Sequence, residues 1–123
     1  MYLHKSLKNQ SGNSYQMTGV IDGDTYYTGK LVRFGYITVK AKTEKGQDES
    51  FFNGSIKGHE FHYFDSSKNG SSFTAIKTSG KEYDLGLSGK NHFWSFAHLY
   101  YPSNPDFARN FVEKCRKYKE EKK

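Results

Sequence analysis

The run Ser95-Phe96-Ala97-His98-Leu99-Tyr100-Tyr101-Pro102-Ser103-Asn104-Pro105 decides how the rest of this 123-residue chain is read. Apolar residues around a single histidine predict a buried strand, and the Pro-Ser-Asn-Pro sequence after them has the chemistry of a helix start. His98 is therefore expected near a strand end. In open α/β sheets ligands bind in the crevice beyond such ends, so an imidazole there is a candidate for proton transfer. On pattern alone, a satisfied core or surface histidine is the commoner outcome.

Downstream of this run the sequence predicts a helix. Asn104 suits the N-cap, Pro105 the first helical position, and Asp106 the positive end of the helix dipole. Phe107, Phe111, Cys115 and Tyr118 then fall on one stripe at helical spacing, which places Cys115 in the packing face as an inert buried thiol.

Upstream, residues 58–64 read Gly-His-Glu-Phe-His-Tyr-Phe. On a strand, side chains alternate between faces, so His59 and His62 point apart and do not share a metal. Glu60 and His62 share a face one pleat apart, where a carboxylate can orient or charge an imidazole. An ordinary polar strand face is the alternative. Residues 33–41 alternate as a strand, with Phe34, Tyr36 and Thr38 on one face and Gly35, Ile37 and Val39 on the other. The polar residues 42–49 turn the chain back. Residues 73–77 and 83–87 read as hairpin strands, and Gly86 and Gly89 bracket the approach to His98. Nearer the start, Leu3 and Leu7 suggest the remnant of a helix over residues 1–7, and residues 15–21 a short strand ended by Asp22-Gly23-Asp24.

Composition bounds what such a chain can be. Its length is that of one domain with one core. With 34% hydrophobic and 17% aromatic residues, that core must rely on Phe and Tyr, and aromatics favour pleated surfaces. The net charge of +6 admits nucleic acid or an acidic small molecule as partner. Much of the excess lies in residues 114–123, read as a solvated basic tail. The single cysteine excludes an internal disulfide and a four-thiolate zinc site and suits a reducing compartment. No stretch approaches the roughly 18 apolar residues of a membrane span, and no secretory signal is evident. A cytoplasmic chain is expected. No phosphate-binding loop, dinucleotide fingerprint, zinc pattern or nucleophile elbow occurs.

Four stretches carry a resemblance: Met1-Tyr2-Leu3; Leu31-Val32-Arg33-Phe34-Gly35-Tyr36; Gly58-His59-Glu60-Phe61-His62-Tyr63; and Ser95-Phe96-Ala97-His98-Leu99 with Ser103-Asn104-Pro105. In order and spacing the chain resembles the glutamine amidotransferase domain of the cobyrinic acid a,c-diamide synthase family, over almost its whole length. The resemblance implies an α/β fold for residues 1–123, namely the strand-rich C-terminal part of a flavodoxin-like class I amidotransferase domain with a C-terminal helix. It makes His98 the catalytic base that serves a cysteine nucleophile, and gives Glu60 and His62 a supporting role. The family's second histidine of the His98 motif is Tyr100 here. For the parent enzyme the resemblance implies glutamine, ATP and magnesium, and a tetrapyrrole carboxylate as acceptor. No cofactor or metal is assigned to this chain itself.

In the family the nucleophile lies in a Cys-Gly-Gly elbow just before Met-Tyr-Leu, and an N-terminal ATP-binding domain precedes it. The chain is thus expected to be a C-terminal fragment that hydrolyses no glutamine alone, since Cys115 matches no nucleophile position. An uncovered apolar face left by lost neighbours would allow a homodimer. Two other readings stand beside this one. One is a domain complete without a nucleophile, serving binding or structure; the other is a basic, β-rich nucleic-acid module, whose affinity would fall steeply with salt.

Overall fold

The computed structural model describes residues 1–42 and 51–123. It is an α/β structure with mixed sheets and a C-terminal helix. Strands β1 (His4–Lys8), β2 (Ser14–Gln16), β3 (Ile21–Tyr27) and β6 (Phe64–Ser66) form a four-stranded sheet in the order β2-β1-β3-β6. A five-stranded sheet has the order β11-β5-β4-β7-β8. Its members are β4 (Arg33–Ala41), β5 (Ser55–His62), β7 (Phe73–Lys77), β8 (Glu82–Leu85) and β11 (His98–Leu99). Strands β9 (Leu87–Gly89) and β10 (His92–Trp94) pair with each other, and helix α1 spans Asp106–Glu121. β1 and β3 are parallel; the other pairs are antiparallel.

The alternation of β4 is realised in the larger sheet. Ile37 and Val39 are buried, whereas Phe34 and Tyr36 are exposed on the opposite face. In register with them, β5 turns Ile56, Gly58 and Glu60 inward, opposite Val39, Ile37 and Gly35. The core that forms on this inner face is aromatic, as the composition requires. Phe52 stacks on Phe73 with centroids 5.5 Å apart, and Phe51 on Phe107 of α1 at 5.6 Å. Phe93 meets Phe73 and Phe107 at 4.9 and 5.1 Å.

The turn before α1 fastens the helix to β5. Asn104 Oδ1 accepts the backbone N–H of Asp106 (3.3 Å), while its amide nitrogen donates to the carbonyls of Asn53 and Ser55. The helix is assigned from Asp106, one residue later than expected, but Asn104 performs the capping anticipated for it. The helix continues to Glu121, through most of the basic residues 114–123.

Several expectations are corrected. Residues 4–8 are a strand, not a helix remnant, because β2 and β3 offer backbone partners on both edges and so short a helix nucleates poorly. Residues 22–24 do not end a strand; they lie inside β3. Asp22 and Asp24 face outward, where they bind Lys5 and Ser6. Gly23 faces inward, where a Cβ would meet Lys68 Cβ at 2.8 Å, and the bare backbone lets buried His4 reach the Ser66 hydroxyl (2.7 Å). β2 covers only Ser14–Gln16. The strand around His98 is two residues long and His98 is exposed, because the segment runs along a sheet edge. Cys115 is also exposed: of its stripe only Phe107 is buried, and Phe111 and Tyr118 are more than half exposed. Helical spacing aligned these residues, but of the stripe Phe107 alone is enclosed, by Phe51, Phe52, Phe93 and Tyr101. The polar turn expected over 42–49 lies, beyond Lys42, outside the described residues.

Because Phe52 is fully buried, Phe52→Ala is expected to cost about 3–5 kcal/mol. Urea unfolding checks this; a loss near zero would mean that the core does not depend on this ring.

Candidate active site

His98 lies on the edge strand β11, directly opposite His59 of β5. Opposed residues of an antiparallel pair point to one face, so His98 shares the outer face with His59, Phe34, Tyr36 and Phe61. Phe34 and Tyr36 meet the His59 ring edge-on at 6.0 and 5.4 Å. His98 also borders an open groove of about 670 Å³ formed with Ala97, Tyr101, Phe107, Phe111 and Val112. An exposed imidazole beside an apolar groove is free to exchange protons with a molecule lodged there.

Glu60 and His62 occupy the inner face of β5, as alternation predicts. Glu60 is 3% exposed. Its carboxylate accepts a hydrogen bond from the Tyr83 hydroxyl of β8 and faces His62 Nε2 at 3.4 Å. His62 Nδ1 donates to the carbonyl of Phe64 at 2.7 Å. Both imidazole nitrogens thus face acceptors. The Arg33 guanidinium lies 4.4 Å above the Tyr83 ring. Burial alone would raise the Glu60 carboxyl, but hydrogen bonds from His62 and Tyr83 and the positive charges of His62 and Arg33 outweigh it, holding the group below the usual carboxylate range. Burial first, then the bond to Glu60, pushes the Tyr83 hydroxyl well above the ordinary phenol range.

The sheet therefore separates His98 from the two residues that the resemblance gave a supporting role. His98 opens on the outer face and the groove; Glu60 and His62 line a small cavity on the inner face with Arg33, Tyr83 and Phe96. The two sites meet at the segment before β11, where Ser95 borders both. Cys115 does not border the groove of His98; it lines a neighbouring one with Phe51, Phe111 and Tyr118. Among the described residues no group of three or more His, Cys, Asp or Glu is placed to hold a metal ion, and no helix is long and apolar enough to cross a membrane.

No family model matches the chain. Curated proteins do. Over 125 residues it is 35% identical to a cobyrinate a,c-diamide synthase of Caldanaerobacter subterraneus, which covers 96% of this chain and 26% of that protein. Synthases of the same name from Picrophilus torridus and Priestia megaterium are 32% and 30% identical, over 94% and 100% of this chain and 24% and 27% of their own lengths. The chain belongs to the cobyrinate a,c-diamide synthase family. It spans about a quarter of the length of these relatives.

Within this chain three of the four quoted motifs meet on β5. Arg33 pairs with His62, Gly35 with Glu60, and His98 with His59. Ser103 Oγ accepts the Lys57 N–H at 2.8 Å, and Asn104 holds the strand's start. Sequence reasoning missed Arg33, Tyr83 and Phe96 as members of the site. Arg33 lay within a quoted motif, and pairing the two predicted strands would have placed it near His62. Nothing local marked Tyr83, which comes from a strand two removed from β4 on the side away from β5.

Since the folded fold holds the Glu60 carboxyl below its unfolded value, its contribution is present at neutral pH and is lost as pH falls through the lower folded value. Wild-type protein should therefore lose thermal stability as pH drops below about 4.3, the ordinary glutamate value. Glu60→Gln should start less stable at neutral pH and show a shallower acid decline. Tyr83→Phe, which removes one donor from a buried carboxylate, should cost about 1–3 kcal/mol at neutral pH by urea unfolding. Parallel acid profiles for wild type and Glu60→Gln would remove Glu60 from the account.

Proposed function

We propose that this chain forms the histidine side of a glutaminase site in a cobyrinate a,c-diamide synthase, within the C-terminal part of a flavodoxin-like class I amidotransferase domain. The observation that carries the reading is that His98, the histidine of the matched motif, stands exposed beside an open groove instead of being satisfied in the core.

In this reading a cysteine outside the present sequence attacks the side-chain amide carbon of glutamine. His98 takes the thiol proton and returns it to the departing ammonia, leaving a thioester that water hydrolyses to glutamate. The ammonia then attacks a carboxylate of cobyrinate or a related tetrapyrrole, activated elsewhere in the synthase by ATP with magnesium. In this reading the part of this chain is proton transfer and positioning. Glu60 and His62 do not border the groove of His98, and their support is indirect. A role in binding without hydrolysis is the second reading, favoured by the absence of Cys115 from that groove.

The chain alone is expected to release no ammonia from glutamine. In a synthase that contains this chain, His98→Ala should lower glutamine-dependent amidation by about 10²–10⁴-fold, the usual range for a general acid–base group. Amidation with free ammonia should persist, since it bypasses glutamine hydrolysis. Unchanged glutamine-dependent turnover would favour binding alone.

A further inference from the structure

We infer that His62 is a positioning residue for His98, acting through the ring of Phe96; the inference rests on His98 being the base. The two rings are stacked, with centroids 4.4 Å apart and planes 17° from parallel. Phe96 precedes His98 by two residues, and the segment crosses the sheet edge between them. Phe96 lies on the inner side against His62, His98 emerges on the outer face opposite His59, and Leu99 returns inward to the core.

β11 is only two residues long, so His98 depends on its flanks. The C-terminal flank is tied to β5 by the Tyr100 N–H donating to the Lys57 carbonyl (2.8 Å) and by Ser103 Oγ, which accepts from Lys57 and donates to the Tyr100 carbonyl. On the N-terminal flank Phe96 stacks on His62 of β5, and Ala97 packs against the core. The His62 ring is itself fixed, because turning it would break its bond to the Phe64 carbonyl and withdraw it from Glu60, which Tyr83 holds in place. Phe96 therefore rests on a platform of set orientation. Such fixing matters for a base, as misplacement by about 1 Å can cost about 10²-fold in rate.

Hydrogen exchange on this chain tests the platform without requiring activity. Amides over residues 97–100 should exchange about tenfold faster in His62→Ala and in Phe96→Ala, the effect of losing one aromatic pair from a local opening equilibrium. Phe96→Tyr, which keeps the stack and leaves the bonds of His62 to Phe64 and Glu60 intact, should hold those amides near the wild-type rate, and in the alanine variants amides 97–100 should accelerate more than those of β4 and β7. Wild-type exchange over 97–100 in both alanine variants would overturn the inference, as would acceleration spread evenly over β4 and β7.

The same substitutions in a synthase that contains this chain supply the functional arm. His62→Ala should lower glutamine-dependent kcat, with KM for glutamine and ammonia-dependent amidation near wild type, and Phe96→Tyr should keep kcat near wild type. If His62→Ala is silent while His98→Ala is not, the inference falls and the base stands. If the alanine variant at the His98 position is silent, the base falls and the inference with it.

Discussion

Strand β5 is held along both edges, and the rest of the structure depends on that. One edge pairs with β4 along the strand; the other carries β11 and the turn of Tyr100, Ser103 and Asn104 that launches α1. A strand with both edges satisfied cannot shift without breaking two sets of hydrogen bonds. The helix, the edge histidine and the buried carboxylate all take their positions from this one backbone.

On its inner face β5 carries a cost that the fold has to offset. An ionised carboxylate buried as deeply as Glu60 is unfavourable unless hydrogen-bonded and opposed by positive charge. Tyr83, His62 and Arg33 supply both, and they come from β8, β5 and β4. The network thus joins three strands through side chains where ladder hydrogen bonds join only neighbours. It also makes the inner face near His62 stiffer than apolar packing alone would, since bonds to oxygen fix ring orientation and dispersion contacts do not.

How much was legible in the sequence depended on whether a pattern had one physical meaning. The alternation over Arg33–Ala41 and the opposite faces of His59 and His62 follow from strand geometry, and both are present in the structure. Asn104 announced the helix because, followed by Pro105 and Asp106, its side chain can accept a backbone N–H at a helix start. The apolar run around His98 was ambiguous, because a buried strand and an edge segment that feeds alternate residues into a core have the same composition. Leu3 and Leu7 were likewise compatible with helix or strand, and pairing decided. The stripe through Cys115 gave a face without saying what lies over it. The Tyr83–Glu60 bond joins residues far apart in sequence, so only the folded chain brings it into view.

The opposite characters of the two faces of β5 bear on folding fidelity. A slip of one residue against β4 would turn Glu60 toward solvent and drive Phe61 and His59 into the space that Tyr83 and Phe96 now fill. Such a mispaired chain would lose the bonds of its carboxylate and gain aromatic bulk where the cavity is small. Alternative pairings are thereby penalised on both faces at once, so the residues that serve the site also act as a checksum on strand alignment.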